Sequence, residues 1–168
     1  MKKILKIVLS YLALIAWMIL IFYMSSQDGT LSGDTSTGLI RVILDALGFI
    51  LNMKFDDADA IAITASCGLW IRKCAHFTEY LILGLLMTNA LRFTFKERKN
   101  FALILILLCF IYACSDELHQ IFVPGRVGTI FDAIVDLSGS YAGVMSFILC
   151  DKYREVKFYF SELIINFV

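Results

Sequence analysis

The residues best suited to chemistry sit where an apolar chain should carry none. In IRKCAHFTEYLILG, residues 71–84, an arginine, a lysine, a histidine and a glutamate fall within eight positions, and an apolar run follows. Arg72, His76, Glu79 and Tyr80 are spaced i, i+4, i+7 and i+8, one stripe of a helix. Two more stripes share this character: Asp116 with Gln120, and Asp132 with Asp136 and Ser140. A desolvated carboxylate beside an imidazole is material for proton transfer, because each shifts the other's pKa. His76 with Glu79 or Asp116 is therefore the candidate catalytic set. Arg72 and Arg126 offer guanidiniums whose planar fork matches phosphate. Tyr80, Gln120, Asp132 and Asp136 complete the candidate binding set. No metal or other cofactor is expected, since no ligand spacing such as HExxH occurs; a divalent ion on His76, Glu79, Asp116 and Asp132 is the less favoured alternative.

Composition decides the setting. Of 168 residues, 60% are hydrophobic and 18% charged, with a single proline, Pro124. Mean hydropathy is +0.79. Soluble domains are about 45–50% apolar and about 25% charged, so the chain reads as one integral membrane domain over 1–168. Fifteen basic and fifteen acidic side chains cancel, which leaves no concentrated basic surface for nucleic acid. The five cysteines form no CxxC pair and read as small hydrophobes.

Three stretches are apolar enough to span: 4–24, 100–120 and 131–150. The first is too long for a signal peptide and has no small-residue cleavage site. The fourth span is less simple. From Tyr80 to Leu91 the apolar run covers only about 18 Å of helix, short of a hydrocarbon core of about 30 Å. The helix must start near Leu69 to Arg72, giving a span of about 70–91 and drawing the charged cluster into the membrane. Ser25 to Gly38 reads as a polar link. Leu39 to Leu51, with Arg41 and Asp45 as an i,i+4 pair, reads as a short interfacial helix, with a re-entrant segment as the alternative. Asp56 to Asp59 reads as a solvated turn or helix start. The expected fold is all-α: a polytopic bundle of four transmembrane helices plus a short interfacial helix on the outer face.

Ten of the fifteen basic residues fall in the N-terminus, the 92–99 loop and the tail. The positive-inside rule then puts both termini in the cytoplasm of a plasma-membrane protein. Counting from the cytoplasmic ends, His76, Glu79, Asp116 and Asp136 lie about 20–24 Å up their helices, with Arg72, Gln120 and Asp132 at about 28–30 Å. Isolated charges at that depth are costly and should face inward, lining one polar pocket open to the outer face. Gly139 and Gly143 form a small-xxx-small pair that lets a neighbouring helix approach. Pro124-Gly125 supplies turn chemistry that can return the chain, with Arg126, across the pocket mouth. Local alternatives stand beside this reading. Lys73 can snorkel to the headgroups, Arg72 can pair with Asp132, and Glu79 with His76 can simply pin two helices. Glu117 and His119 point away from the Asp116 stripe, and Trp70, Phe122 and Phe131 read as an aromatic belt.

Two segments, RKCAHFTEYLILG (72–84) and DELHQIFVPGRVGTIFDAIVDLSG (116–139), resemble VanZ-like membrane proteins. Their pattern runs RKxxHFxEYxxLG, then DExxQxFxPxRxxxxxD with an Asn and a Gly beyond. It is met here by Arg72, Lys73, His76, Phe77, Glu79, Tyr80 and Gly84, then Asp116, Glu117, Gln120, Pro124, Arg126, Asp132 and Gly139. FYMSSQ at 22–27 is similar to the family's exit from its first helix, and Asp136 stands where the pattern commonly has Asn. The resemblance implies a Gram-positive cell-envelope membrane protein linked to teicoplanin (lipoglycopeptide) resistance, with no settled activity. The favoured function is to bind or modify an anionic lipid headgroup, such as a phosphate-bearing cell-wall lipid intermediate. The alternative is a non-catalytic membrane protein that limits drug access or interacts with envelope enzymes. A transporter is disfavoured, since paired discontinuous helices are not evident. Neither the oligomeric state nor whether the protein is an enzyme follows from the sequence.

The orientation is checked by labelling single cysteines on a cysteine-free background. Ser32→Cys should react with an impermeant reagent from outside the cell and Lys96→Cys should not. The reverse pattern overturns the topology.

Overall fold

The computed structural model describes the backbone of residues 2–95 and 99–165, and the side chains of 3–29, 37–95 and 99–153. Lys96 and Arg98, and the side chains of Lys2, Ser32, Arg154 and Lys157, lie outside that description. Five helices follow in order: α1 (Lys2–Ser25), α2 (Gly29–Leu51), α3 (Asp57–Phe95), α4 (Phe101–Gln120) and α5 (Ile130–Ile165). Three described stretches are long and apolar enough to cross a membrane, Lys3–Ser25, Phe101–Gln120 and Ile130–Tyr153. The charged cluster of α3 keeps the expected 70–91 span out of that set.

Two boundaries differ from expectation. The polar stretch after Ser25 is not a long link: only 26–28 turn, and the chain is helical again from Gly29. Instead of a thirteen-residue piece, α2 has 23 residues. A short isolated helix is marginal because nucleation is costly, whereas this one is anchored on α3 through Ile40 and Leu44. The second difference is α3, which starts at Asp57 and runs for 39 residues, about 58 Å at helical rise. Its start is fixed by the acidic cluster. Asp59 N–H donates to Asp56 Oδ1 and Asp56 N–H to Asp59 Oδ2, each at 2.9 Å, a reciprocal capping box. The Asp56–Asp59 stretch is thus a helix start. Arg41 pairs with Asp45 at 3.3 Å as its spacing suggested, and also with Asp57. Ile40, Leu44 and Ala60 close the small core between α2 and the first part of α3.

Helix α3 packs on all four other helices, while among the described residues the only helix that α2 packs on is α3. The main core is built from helical stripes: Leu14 and Ile21 of α1, Tyr80, Leu83 and Met87 of α3, Leu105, Cys109 and Ala113 of α4, and Val144 of α5. Each stripe turns polar towards the same end of the bundle. On α4 it continues into Asp116, Glu117 and Gln120, on α3 into His76, and on α5 into Ser140, Asp136 and Asp132, all buried. Many large apolar side chains are exposed on the outer faces, Trp70, Phe122 and Phe131 among them, the exposure an aromatic belt would have.

The α3–α5 crossing depends on glycine. A Cβ on Gly139 would stand 2.3 Å from Phe77 O, one on Gly143 2.1 Å from Leu81 O, and one on Gly84 2.4 Å from Ser140 O. The small-xxx-small pair therefore brings backbone against backbone. Gly143→Ala should cost about 1–3 kcal/mol by overpacking, read as a lower melting temperature in detergent. Gly38→Ala, where a Cβ meets nothing within 4 Å, should show no loss. Equal melting temperatures for Gly143→Ala and the parent would overturn this account of the crossing.

Candidate functional site

At the polar end, α1, α3, α4 and the 121–129 loop surround a cavity of about 120 Å³. Arg72, His76, Glu79, Asp116, Gln120 and Arg126 line it, with Met24, Ser25 and Gln27 of the α1 exit and Leu39 of α2. Six of the nine residues expected to form the site therefore share one wall. The other three stand behind it. Asp136 is fully buried and its Oδ1 lies 3.1 Å from His76 Nδ1. Tyr80 is fully buried in the core beneath. Asp132 accepts a hydrogen bond from Lys73 Nζ at 2.7 Å.

The pairings correct several expectations. His76 engages Asp136, not Glu79 or Asp116. Asp136 lacked a lysine or arginine at its depth, and an imidazole fills that role. The basic partner of Asp132 is Lys73 and not Arg72, so Lys73 does not snorkel freely. Arg72 Nη2 instead donates to Gln120 Oε1 at 3.2 Å, and Gln120 Nε2 donates to Asp116 Oδ2 at 3.3 Å. These contacts join α3 to α4 and to α5 at one level, as the depth count required.

The loop is built as its turn residues dictate. Arg126 N–H donates to Val123 O at 3.1 Å across Pro124-Gly125, and Gly125 has φ +71°, the conformation a type II turn demands at its third residue. This turn abuts the α1–α2 junction, where Gly29 N–H donates to Pro124 O at 3.1 Å. Arg126 then reaches back: Nε donates to Gln27 O and Nη2 to Met24 O, both at 3.1 Å. It satisfies carbonyls that the end of α1 leaves open. Burial and the neighbouring Arg72 guanidinium push the Arg126 pKa below its ordinary value, yet an arginine so placed stays charged.

Two acidic or basic positions set aside by spacing make specific contacts at this end of the bundle. Glu117 is buried, and its Oε2 accepts the Thr129 N–H at 2.8 Å. It lies one residue off the Asp116 stripe, but the loop folds back over it: a Cβ on Gly128 would stand 2.3 Å from Glu117 O. That glycine was the available signal. His119 is different, stacking on Phe22 with centroids 4.5 Å apart and meeting Ser26 Oγ at 3.0 Å. At the start of α5, Thr129 Oγ1 accepts the Asp132 N–H at 3.1 Å and donates to Asp132 Oδ2 at 3.0 Å, a cap that fixes the acid for Lys73.

Of the residues considered as metal ligands from sequence, only His76 belongs to the cluster that the structure assembles, which is His76, Glu117 and Asp136. Several buried polar atoms here have no hydrogen-bond partner, among them Arg72 Nε, Asp116 Oδ1, Glu117 Oε1 and Asp136 Oδ2.

This helical membrane architecture, with its arginine, histidine and acidic residues at one end, is matched by the model of the VanZ/LLP1 family over residues 10–151. The chain belongs to the VanZ/LLP1 family. No curated protein and no solved structure matches it. The family match takes in α1 from Ser10, all of α2, α3 and α4, and α5 to Asp151. Every candidate residue of this VanZ/LLP1 member is therefore inside the matched region.

Arg126→Ala removes two bonds to backbone carbonyls and should destabilise the protein by about 3–6 kcal/mol, given about 1.5–3 kcal/mol for each bond to a charged group. Arg126→Lys, with one nitrogen for two carbonyls, should fall between. An unchanged melting temperature for Arg126→Ala would show that the hook between the loop and α1 carries no stability.

Proposed function

We propose that this membrane protein binds the phosphate-bearing headgroup of a lipid in the outer leaflet, through the cavity between Arg72 and Arg126. One observation carries the reading. Arg72 lines the cavity with Nε unpartnered, and neither arginine forms an ion pair with a carboxylate among the described residues. A guanidinium held out of water with free donors is suited to a bidentate anion. Glu79 and Asp116, on the same wall, can accept hydrogens from headgroup hydroxyls or amines.

The topology that supports this places four crossings at α1, the 70–91 part of α3, α4 and α5, with both termini cytoplasmic. The basic residues of alternate loops favour it. The rest of α3, about 20 Å beyond Arg72 at helical rise, then stands with α2 on the outer side. Leu39, Val42, Ile43, Leu47 and Ile50 of α2 are exposed, which suits a hairpin seated in the apolar interface. On this reading the cavity mouth faces cell-wall lipid intermediates, and a role in lipoglycopeptide susceptibility follows from the family likeness. His76 is held by Asp136 and not by a cavity acid, so the arrangement favours binding over acid–base catalysis.

The test is the phosphorus content of lipid that stays with the full-length protein in mild detergent. Arg72→Gln should lower it at least about tenfold, the lower end for a charged hydrogen bond, and Arg72→Lys should not restore it. Parent-level lipid phosphorus in both variants, with folding intact, would overturn the headgroup reading.

A further inference from the structure

Behind the cavity wall the charges do not balance. The polar end holds three basic side chains (Arg72, Lys73, Arg126) and five carboxylates (Glu79, Asp116, Glu117, Asp132, Asp136) in buried or half-buried positions. Asp132 is matched by Lys73, and Asp116 by the Gln120–Arg72 chain. Glu117 has no basic residue in contact among the described residues, and Asp136 meets only the His76 imidazole, at 3.1 Å. Glu117 is 6% exposed and Asp136 0%, and each keeps one oxygen, Oε1 and Oδ2, without a partner. Unpaired buried carboxylates are strongly unfavourable unless neutralised.

We infer that His76, Glu117 and Asp136 form a binding site for a divalent transition-metal ion, zinc or manganese in class. One potential ligand atom from each lies within 4.8 Å of the others. In a tetrahedron with metal–ligand distances near 2.0–2.2 Å such atoms stand about 3.4 Å apart, so a modest inward shift of the side chains closes the site. Glu117 is already oriented by its other oxygen, which accepts the Thr129 N–H, an outer contact of the kind that aims a ligand. The His76 Nδ1–Asp136 Oδ1 contact holds the other two ligands together, and the ion would take its place. The imidazole selects against magnesium and calcium, which prefer all-oxygen shells. With the His76 imidazole neutral, as a metal ligand must be, five carboxylates exceed three cations by two, the charge of the ion. Three protein ligands leave a further coordination position, and His76 lines the cavity, so that position can face it.

The inference stands apart from the headgroup reading, because metal is measured without lipid and lipid phosphorus without metal. Tag-free full-length protein in detergent is stripped with a chelator, reloaded with Zn²⁺ or Mn²⁺, and assayed by elemental analysis. About one ion per chain is expected, with a rise in melting temperature on reloading. Asp136→Asn and Glu117→Gln, which keep side-chain shape, should lower occupancy about tenfold or more at equal free metal. Glu79→Gln, on the cavity wall but outside the cluster, should keep it. Cobalt-loaded parent protein should show visible absorption of nitrogen–oxygen coordination, a readout that needs no variant. Parent protein that takes up no stoichiometric metal on reloading overturns the site, as does full occupancy in Asp136→Asn together with Glu117→Gln.

Discussion

An ionisable side chain inside an apolar bundle must find its partner on another helix, and the polar end of this protein is organised by that constraint. Charge in a low-dielectric setting costs several kcal/mol when unpaired. Lys73 with Asp132 and His76 with Asp136 tie α3 to α5, while Arg72 through Gln120 to Asp116 ties α3 to α4. These reaches are short, so the backbones must come close. Gly84, Gly139 and Gly143 permit that approach. Close packing and polar pairing thus support each other along one helix pair.

Much of this was legible in the residues. The bounds of α1 and α4 follow from unbroken apolar runs, and the three polar stripes follow from i, i+4 spacing. Their common level followed from helical rise alone, and the contacts between stripes agree with it. The turn at Pro124-Gly125 was legible because only glycine takes its φ at low cost. Partner choice was not. Spacing places Lys73 and Arg72 on neighbouring faces, and which of them meets Asp132 depends on how α5 lies against α3, which one helix's spacing does not contain. Glu117 was misread because a stripe argument sees its own helix and not a loop that folds over it. The extent of α2 was missed for a related reason: its polar first half has no apolar period, and packing on α3 overrides that weak local signal.

A cavity with both guanidiniums and carboxylates on its wall is selective by design. A small free anion meets Glu79 and Asp116 as well as Arg72 and Arg126, and gains little net attraction. A ligand that carries phosphate and hydrogen-bond donors together satisfies both signs. The wall thus presents groups complementary to both signs of charge.

Among the described residues α2 packs on no helix but α3, which has a consequence for how the molecule moves. The four other helices share one core, but α2 is fastened by a small separate cluster. Such an element forms its own unit of cooperativity and opens at a fraction of the global unfolding free energy. Its first residue abuts the Pro124-Gly125 turn, and Leu39 reaches the cavity. Peeling α2 away would unlatch one side of the chamber while the buried ion-pair scaffold stays intact. Were α2 to open first, access to the chamber would vary in time without any repacking of the frame.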